Sequence, residues 1–346
     1  MPDSLESLKE QLKTKDLKYC SDSSPGFFRQ KIGKSFKYYN LAGNIIKNNT
    51  DLSRIKKLAI PPAWDRVWIA PSDNCHLQAT GFDNKNRKQY IYHPSWIKIS
   101  QENKFDKMVD FGLNLGKIRS KVDSDLRRPK LDKQKILATV LWLLEHTFIR
   151  VGNDEYYKDN KTVGLTTLKN NHVRVIGPKI KFSFKGKSGV RNSLEIFHPT
   201  IAKTIKSCIE LPGYEIFQFV DEMGDRHIID SSDVNLFLQD LTGGDYSAKD
   251  FRTWGATSIS ANNFYRIGWI DDQEKIQKNI SQTVKKVAKH LNNTTRVCKN
   301  YYIHPKVFST YQTNILVPHF QSFSKHKPKQ GLSWDEYALV NLLQKY

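Results

Sequence analysis

Two adjacent tyrosines, Tyr301 and Tyr302, stand in the stretch RVCKNYYIHPKV (296–307) of a chain with 55 lysines and arginines against 35 aspartates and glutamates. A phenol attacks a phosphodiester only by losing its proton, and its ordinary pKa is about 10. The phosphorus gathers negative charge as it becomes five-coordinate, and preorganised arginine, lysine or amide donors stabilise that charge without a metal. The departing 5′-oxygen is a poor leaving group and wants a general acid. The set required is one tyrosine, at least two arginines, one lysine and one more hydrogen-bond donor. The chain supplies Arg150 in TFIRVGN (147–153), Lys187 in FKGKSG (184–189), Arg252 in KDFRTWGAT (249–257), and Asn293 in HLNNTTRVCKNYYIHP (290–305). Basic residues are abundant here, so spacing alone neither assembles this set nor chooses between the tyrosines.

Other chemistries fit less well. Gly186-Lys187-Ser188 suggests a phosphate-binding loop, but that motif needs a glycine five positions before Gly186, where Lys181 stands, and Gly186 lies in an expected hairpin rather than at a helix start. Nothing therefore asks for ATP. The acidic run Asp221, Glu222, Asp225, Asp230 and Asp233 matches no metal-ligand spacing and reads as a solvated face. No cofactor and no metal are expected.

Composition bounds the rest. The chain has 346 residues, more than one average domain, and is 38% hydrophobic and 12% aromatic, which is a globular composition. Its formal charge of +20 is spread along the chain and interleaved with aromatics, which favours a nucleic-acid partner over the blander reading of a merely basic protein. No run of about 18 apolar residues offers a membrane span. The opening MPDSLESLKEQLKTKD lacks the apolar stretch of a signal peptide, so an intracellular setting of open compartment is expected. Cys20, Cys75, Cys208 and Cys298 are scattered with no C-x-x-C pair, and read as reduced thiols without a disulfide framework or zinc site.

The elements that must position these residues fall in two regions. After a leader (1–24), the run from SFKYYN (35–40) to YIYHP (90–94) is strand-like, with RVWIA (66–70) and HLQATGFD (76–83) bounded by turn signals, and one short helix over 51–58 closed by Pro61-Pro62. A β-rich domain is expected over 1–98. SQENKFDK (100–107) reads as a polar connector or helix start. Beyond it, LDKQKILATVLWLLEHTFIR (131–150) has helical spacing, and Arg150 is expected to end that helix. Strands are predicted over 172–177, 179–185 and 190–197, the last two joined by the tight turn KGKSG (185–189). Helices are predicted over 200–211, 231–242, 260–271, 272–292 and 333–346, the last with Ser333 and Glu336 in a capping box. SFSKHKPKQG (322–331) reads as a basic linker. The fold class is α+β, a small β-rich domain before a larger, mainly helical one (99–346) with a small three-stranded sheet.

Seven blocks, in order, resemble the type IB DNA topoisomerases of the poxvirus and bacterial kind: LAIPPAWDRVWIAP (58–71), HLQATGFDNKNRKQYIYHPSW (76–96), FIRVGN (148–153), TVGLTTLKNNHV (162–173), FKGKSG, KDFRTWGAT and NNTTRVCKNYYIHPKV (292–307). The resemblance runs from about residue 35 to 310, with a weaker echo in the last helix. It implies a tyrosine-recombinase-like catalytic domain. In it, Arg150 and Arg252 clamp the non-bridging phosphate oxygens and Lys187 is the general acid, Lys185 being its rival two residues away. Poxvirus members carry a histidine nine residues before the nucleophile. Asn293 stands there, as asparagine does in bacterial relatives, and implies a hydrogen bond to phosphate rather than proton transfer. The nucleophile of the family directly precedes a hydrophobic residue and His-Pro, which selects Tyr302 and leaves Tyr301 as a neighbour.

NRKQYIY (86–92) resembles the segment that enters the DNA major groove in poxvirus members. That implies base and backbone contacts from Gln89, Tyr90 and Tyr92 and phosphate contacts from Arg87 and Lys88. Strand alternation by itself sets Tyr90 and Tyr92 on one face and Gln89 on the other, and a half-buried strand with snorkelling basic residues is the plainer reading. The resemblance implies a monomeric clamp round duplex DNA that relaxes supercoils through a 3′-phosphotyrosyl link. A tyrosine recombinase shares the Arg-Lys-Arg-Tyr set, but usually shows His-x-x-Arg where this chain has Lys249-Asp-Phe-Arg252. A non-catalytic DNA-packaging protein would not need the complete set.

Overall fold

The computed structural model describes residues 9, 12–13, 15–33, 35–84, 86–152, 162–325, 327 and 331–346, with the side chains of 101–103 and 188 left out. Parts of the expected leader (1–8, 10, 11 and 14) and linker (326 and 328–330), with Lys85 and Asn153, lie outside the described residues. The chain divides into two compact units, Met1–Lys104 and Phe105–Tyr346.

In the first unit, strands β1 (Phe27–Ile32), β2 (Ser35–Tyr39), β3 (Asp65–Ile69), β4 (Leu77–Phe82) and β5 (Lys88–Tyr92) form an antiparallel sheet in the order β2-β1-β3-β4-β5. Helix α1 (Asn49–Lys57) starts at Asn48, whose side chain accepts the Thr50 N–H, an N-cap that satisfies a donor the helix itself leaves unpaired. Its Ile55 packs with Ile46, Ile60, Val67, Ile69 and Ala79 as the core of the unit. Among the described residues β5 pairs only with β4, at the edge of the sheet.

The cysteine expectation is corrected here. Cys20 and Cys75 are joined in a disulfide across 55 positions of sequence, while Cys208 and Cys298 are free and buried. Scattered spacing does not bear on such pairing, because the fold brings the two segments together: Lys18 forms a parallel bridge with Cys75, and the Cys20 N–H donates to His76 Nδ1. The same segment sets Asp22 against the sheet, where its carboxylate accepts from Thr80 and pairs with Lys88 at 2.6 Å.

Helix α2 (Pro94–Leu126) is continuous through the predicted connector and contains the point of division. The polar residues there leave the helix intact, while Phe105, Met108, Phe111, Leu115, Ile118, Val122 and Leu126 form a buried stripe at helical spacing. Helix α3 (Lys133–Thr147) follows. Strands β6 (Val173–Ile176), β7 (Lys179–Lys185) and β8 (Arg191–Phe197) make a three-stranded antiparallel sheet, and β9 (Gln218–Val220) with β10 (Arg226–Ile228) makes a hairpin too short to leave a periodic signal. Helices α4 (Pro199–Glu210), α5 (Ser231–Thr242), α6 (Ala248–Ile267), α7 (Gln273–His290), α8 (Thr295–Tyr301), α9 (Pro305–Gln312), α10 (Leu316–Phe323) and α11 (Trp334–Lys345) complete the unit. The helix expected over 260–271 begins earlier, at Ala248, takes in KDFRTWGAT, and ends at Ile267, with Gly268 at φ 79° beyond it.

The acidic run has structural work. Asp221 bonds His227 and turn N–H groups between β9 and β10. Asp230 and Asp233 form the capping box of α5. Glu336 completes the predicted box of α11 with Ser333 and also pairs with Arg119.

Candidate active site

The site is assembled from helix ends in the second unit. Arg252 lies in the second turn of α6, with only 3% of its surface exposed. Its Nη1 donates to the Phe148 carbonyl, and its Nη2 donates to the Leu291 carbonyl at 2.9 Å. Both acceptors lie at helix C-termini, of α3 and α7 respectively, where carbonyls lack partners within the helix and carry negative partial charge. The guanidinium thus ties two helix ends together.

One expectation shifts. Arg150 does not end the apolar helix; α3 stops at Thr147, and Phe148 turns into the left-handed region at φ 53°. The ring of Phe148 explains the break, since it packs on Gly255, where a Cβ would come within 2.1 Å of it. Arg150 lies in the segment beyond, whose backbone is clamped by Leu165 N–H on the Arg150 carbonyl at 2.8 Å. Gly164 permits this approach, because a Cβ there would lie 2.4 Å from the Gly152 nitrogen. The Arg150 side chain donates to Asn293 Oδ1 at 2.7 Å.

Tyr302 is the residue that ends α8; its N–H bonds the Cys298 carbonyl, and its own carbonyl accepts from Thr257 Oγ1 at 3.2 Å. The Arg252 guanidinium carbon lies 5.3 Å from the centre of the Tyr302 ring. Burial alone would raise the Tyr302 phenol, but Arg252, by charge and by hydrogen bond, together with the charges of Arg150 and Lys249, outweighs it and holds the phenol below its ordinary pKa. Arg252 is in turn lowered first by burial and then by Arg150. Tyr301, by contrast, is 43% exposed. Beside Tyr302, two buried donors, Arg252 Nε and Asn293 Nδ2, find no acceptor among the described residues.

Arg150, Arg252, Asn293 and Tyr302 are therefore brought together by direct contacts and charge. Lys187 is exposed and begins the turn Lys187–Gly189 between β7 and β8. Lys249 lies one helical turn before Arg252, and that three-residue spacing on a helix face brings its charge to bear on Tyr302. Cys298, one turn before Tyr302, is pushed up to about 11 by burial and stays a thiol.

His304 is 8% exposed and caps α9, its Nδ1 accepting the Lys306 N–H. Burial first, then the Lys306 charge, lowers its pKa to about 4. A histidine depressed in the fold binds its proton more readily when unfolded, so stability is full above about pH 6.5 and is lost as pH falls toward 4. The interval corresponds to ~3 kcal/mol. Urea midpoints are expected to fall over this range in the wild type and to fall less in His304→Asn, which keeps a capping side chain; parallel curves would contradict the assignment.

In the first unit, β5 alternates. Lys88, Tyr90 and Tyr92 share the exposed face, the two rings stacking 5.9 Å apart, and Gln89 and Ile91 lie on the half-buried face. Gln89 and Arg87 both bond Asp83.

Comparison with known proteins gives the class first: residues 93–326 match the family described as eukaryotic DNA topoisomerase I, catalytic core, and residues 35–83 match the bacterial DNA topoisomerase IB N-terminal domain. The chain is 32% identical over 334 residues to DNA topoisomerase 1B of Acanthamoeba polyphaga mimivirus, covering 93% of this chain and 95% of that one. It is 24% identical over 293 residues to DNA topoisomerase 1B of vaccinia virus (strain Copenhagen), covering 79% and 86%. It is 26% identical over 203 residues to DNA topoisomerase 1 beta of Arabidopsis thaliana, covering 57% and 21%. The chain belongs to the type IB DNA topoisomerase family, an enzyme acting on DNA. No helix among the described residues is long and apolar enough to cross a membrane.

Proposed function

We propose that this chain relaxes supercoiled duplex DNA by reversible transesterification at Tyr302, acting as a monomeric clamp. The phenol gives its proton to solvent as its oxygen bonds to phosphorus and the bond to the 5′-oxygen breaks; it takes a proton back from solvent when religation frees it. Lys187 gives that oxygen its proton, leaving a 3′-phosphotyrosyl link and a 5′-hydroxyl. The nicked strand swivels, and the hydroxyl attacks back and returns its proton to Lys187. Bond energy is conserved in the link, so the cycle needs no ATP, and the charge at phosphorus is met by Arg150, Arg252 and Asn293 in place of a metal. Gln89, Tyr90 and Tyr92 meet bases and backbone, and Arg87 and Lys88 meet phosphate.

The observation that carries this reading is the pair of buried donors without acceptors, Arg252 Nε and Asn293 Nδ2, beside a phenol held below its usual pKa. An unmatched buried donor costs about 1–3 kcal/mol, and a phosphate oxygen would satisfy both. The purified protein is expected to relax positive and negative supercoils in EDTA without ATP, and denaturation during the reaction should trap it on DNA 3′ ends. Binding without an adduct would indicate a packaging role, and strand exchange between two sites a recombinase.

A further inference from the structure

The hairpin that carries Lys187 is joined to the rest of the site by a pair of asparagines. Asn192, 8% exposed, stands at the start of β8, directly after the turn. Its Oδ1 accepts from Asn292 Nδ2 at 2.6 Å, and its Nδ2 donates to the Val190 carbonyl inside the turn at 3.2 Å. That same carbonyl accepts the Gly186 N–H at 2.8 Å. Gly186 leaves room for this, because a Cβ there would lie 2.3 Å from Asn192 Nδ2. The amide of Asn192 is thus packed under the glycine that precedes Lys187. At the other end, Asn292 occupies the left-handed region at φ 47°. Its two chain neighbours hold the arginines: the Leu291 carbonyl accepts from Arg252, and Asn293 Oδ1 accepts from Arg150. One side-chain bond therefore spans from the turn of the lysine to the turn of the phosphate clamp.

We infer that Asn192 and Asn292 are positioning residues that hold Lys187 in register with the arginine clamp and Tyr302. This rests on Lys187 acting as the acid. Neither asparagine touches the reacting atoms; a general acid contributes about 10²–10⁴ in rate, and only when its proton lies within hydrogen-bond reach of the leaving oxygen. Such precision in a residue carried on a two-strand turn requires that the turn itself be anchored.

The test is single-turnover cleavage of a duplex bearing a mapped cleavage site, made once with the ordinary 5′-oxygen and once with sulfur at the 5′-bridging position. A thiolate leaves without needing a proton, so the sulfur duplex reports the reaction without the acid. Asn192→Ala and Asn292→Gly are each expected to slow cleavage of the oxygen duplex about 10-fold or more, and to cleave the sulfur duplex within about 3-fold of wild type. The double variant should be no slower than Asn192→Ala, which already breaks both the shared Asn192–Asn292 bond and the bond to Val190. Glycine suits the backbone of residue 292, so Asn292→Gly carries the test if Asn192→Ala does not fold. Equal losses on both duplexes, or additive losses in the double variant, would overturn the inference. A wild-type protein that forms no adduct on either duplex would instead overturn the reading of Tyr302 and Lys187.

Discussion

Tyr302→Phe is expected to abolish the covalent adduct and with it all relaxation, while Tyr301→Phe relaxes plasmid within a few-fold of wild type. Removal of a covalent nucleophile acts on the order of 10⁶ in rate in other enzymes of covalent mechanism, so the two variants should differ unmistakably. The structural cost is small by comparison. The ring of Tyr302 packs against the main core, and phenylalanine keeps that packing. What is lost is the hydrogen bond with Arg252, worth about 1.5–3 kcal/mol for a charged partner. Thermal melting should therefore change little while the adduct disappears from denaturing gels. Persistent relaxation by Tyr302→Phe would remove the nucleophile from this position, and loss with Tyr301→Phe would move it by one residue.

The second large effect is at Arg252. Under the proposed mechanism, truncation to alanine removes a transition-state donor, an interaction worth about 10²–10³ where a single such donor has been removed, and the charge that loosens the Tyr302 phenol. It also leaves the carbonyls of Phe148 and Leu291 without their buried donor, at about 1–3 kcal/mol each. Arg252→Ala should thus be both less stable and slower in cleavage by about 10³ or more. Arg252→Lys separates the two effects. Lysine restores the charge, but a compact ammonium cannot span both carbonyls and still present a donor to the phosphate as the planar fork does. The expectation is partial recovery of folding and a cleavage rate still about 10² below wild type. Arg252→Lys cleaving as fast as wild type would show that charge alone suffices and that the fork has no special part.

How much of this was legible in the sequence depends on the distance over which each feature is determined. Helices such as α5 and α11 are fixed by local signals, a capping box and periodic apolar residues, and these are written in neighbouring positions. The hairpin of Lys187 was legible because Gly186 and Gly189 flank it. The identity of Arg252 and Tyr302 came through resemblance, since nothing local distinguishes one arginine among many. The disulfide leaves no local signal, because Cys20 and Cys75 are joined across 55 positions of sequence. The end of α3 leaves no local signal either, because its left-handed Phe148 packs on Gly255 and its carbonyl accepts from Arg252, both more than a hundred residues away. Asn192 and Asn292 carried no sequence signal, as asparagines in turns are common and their partnership is purely spatial.

The pairing of Asp22 with Lys88 changes how the charge of this protein should be counted. A backbone phosphate that reaches Lys88 does not meet a lone cation with a loose cloud of salt around it. It meets an ammonium already 2.6 Å from a carboxylate, which also accepts from Thr80. Engagement there is an exchange of one anion for another rather than a neutralisation, and it releases little counterion to the solvent. The salt dependence of binding should be shallower than a tally of nearby lysines and arginines suggests. On β5 the stacked Tyr90 and Tyr92, which carry no charge and need no ion released, become the larger share of what the strand can offer to a duplex.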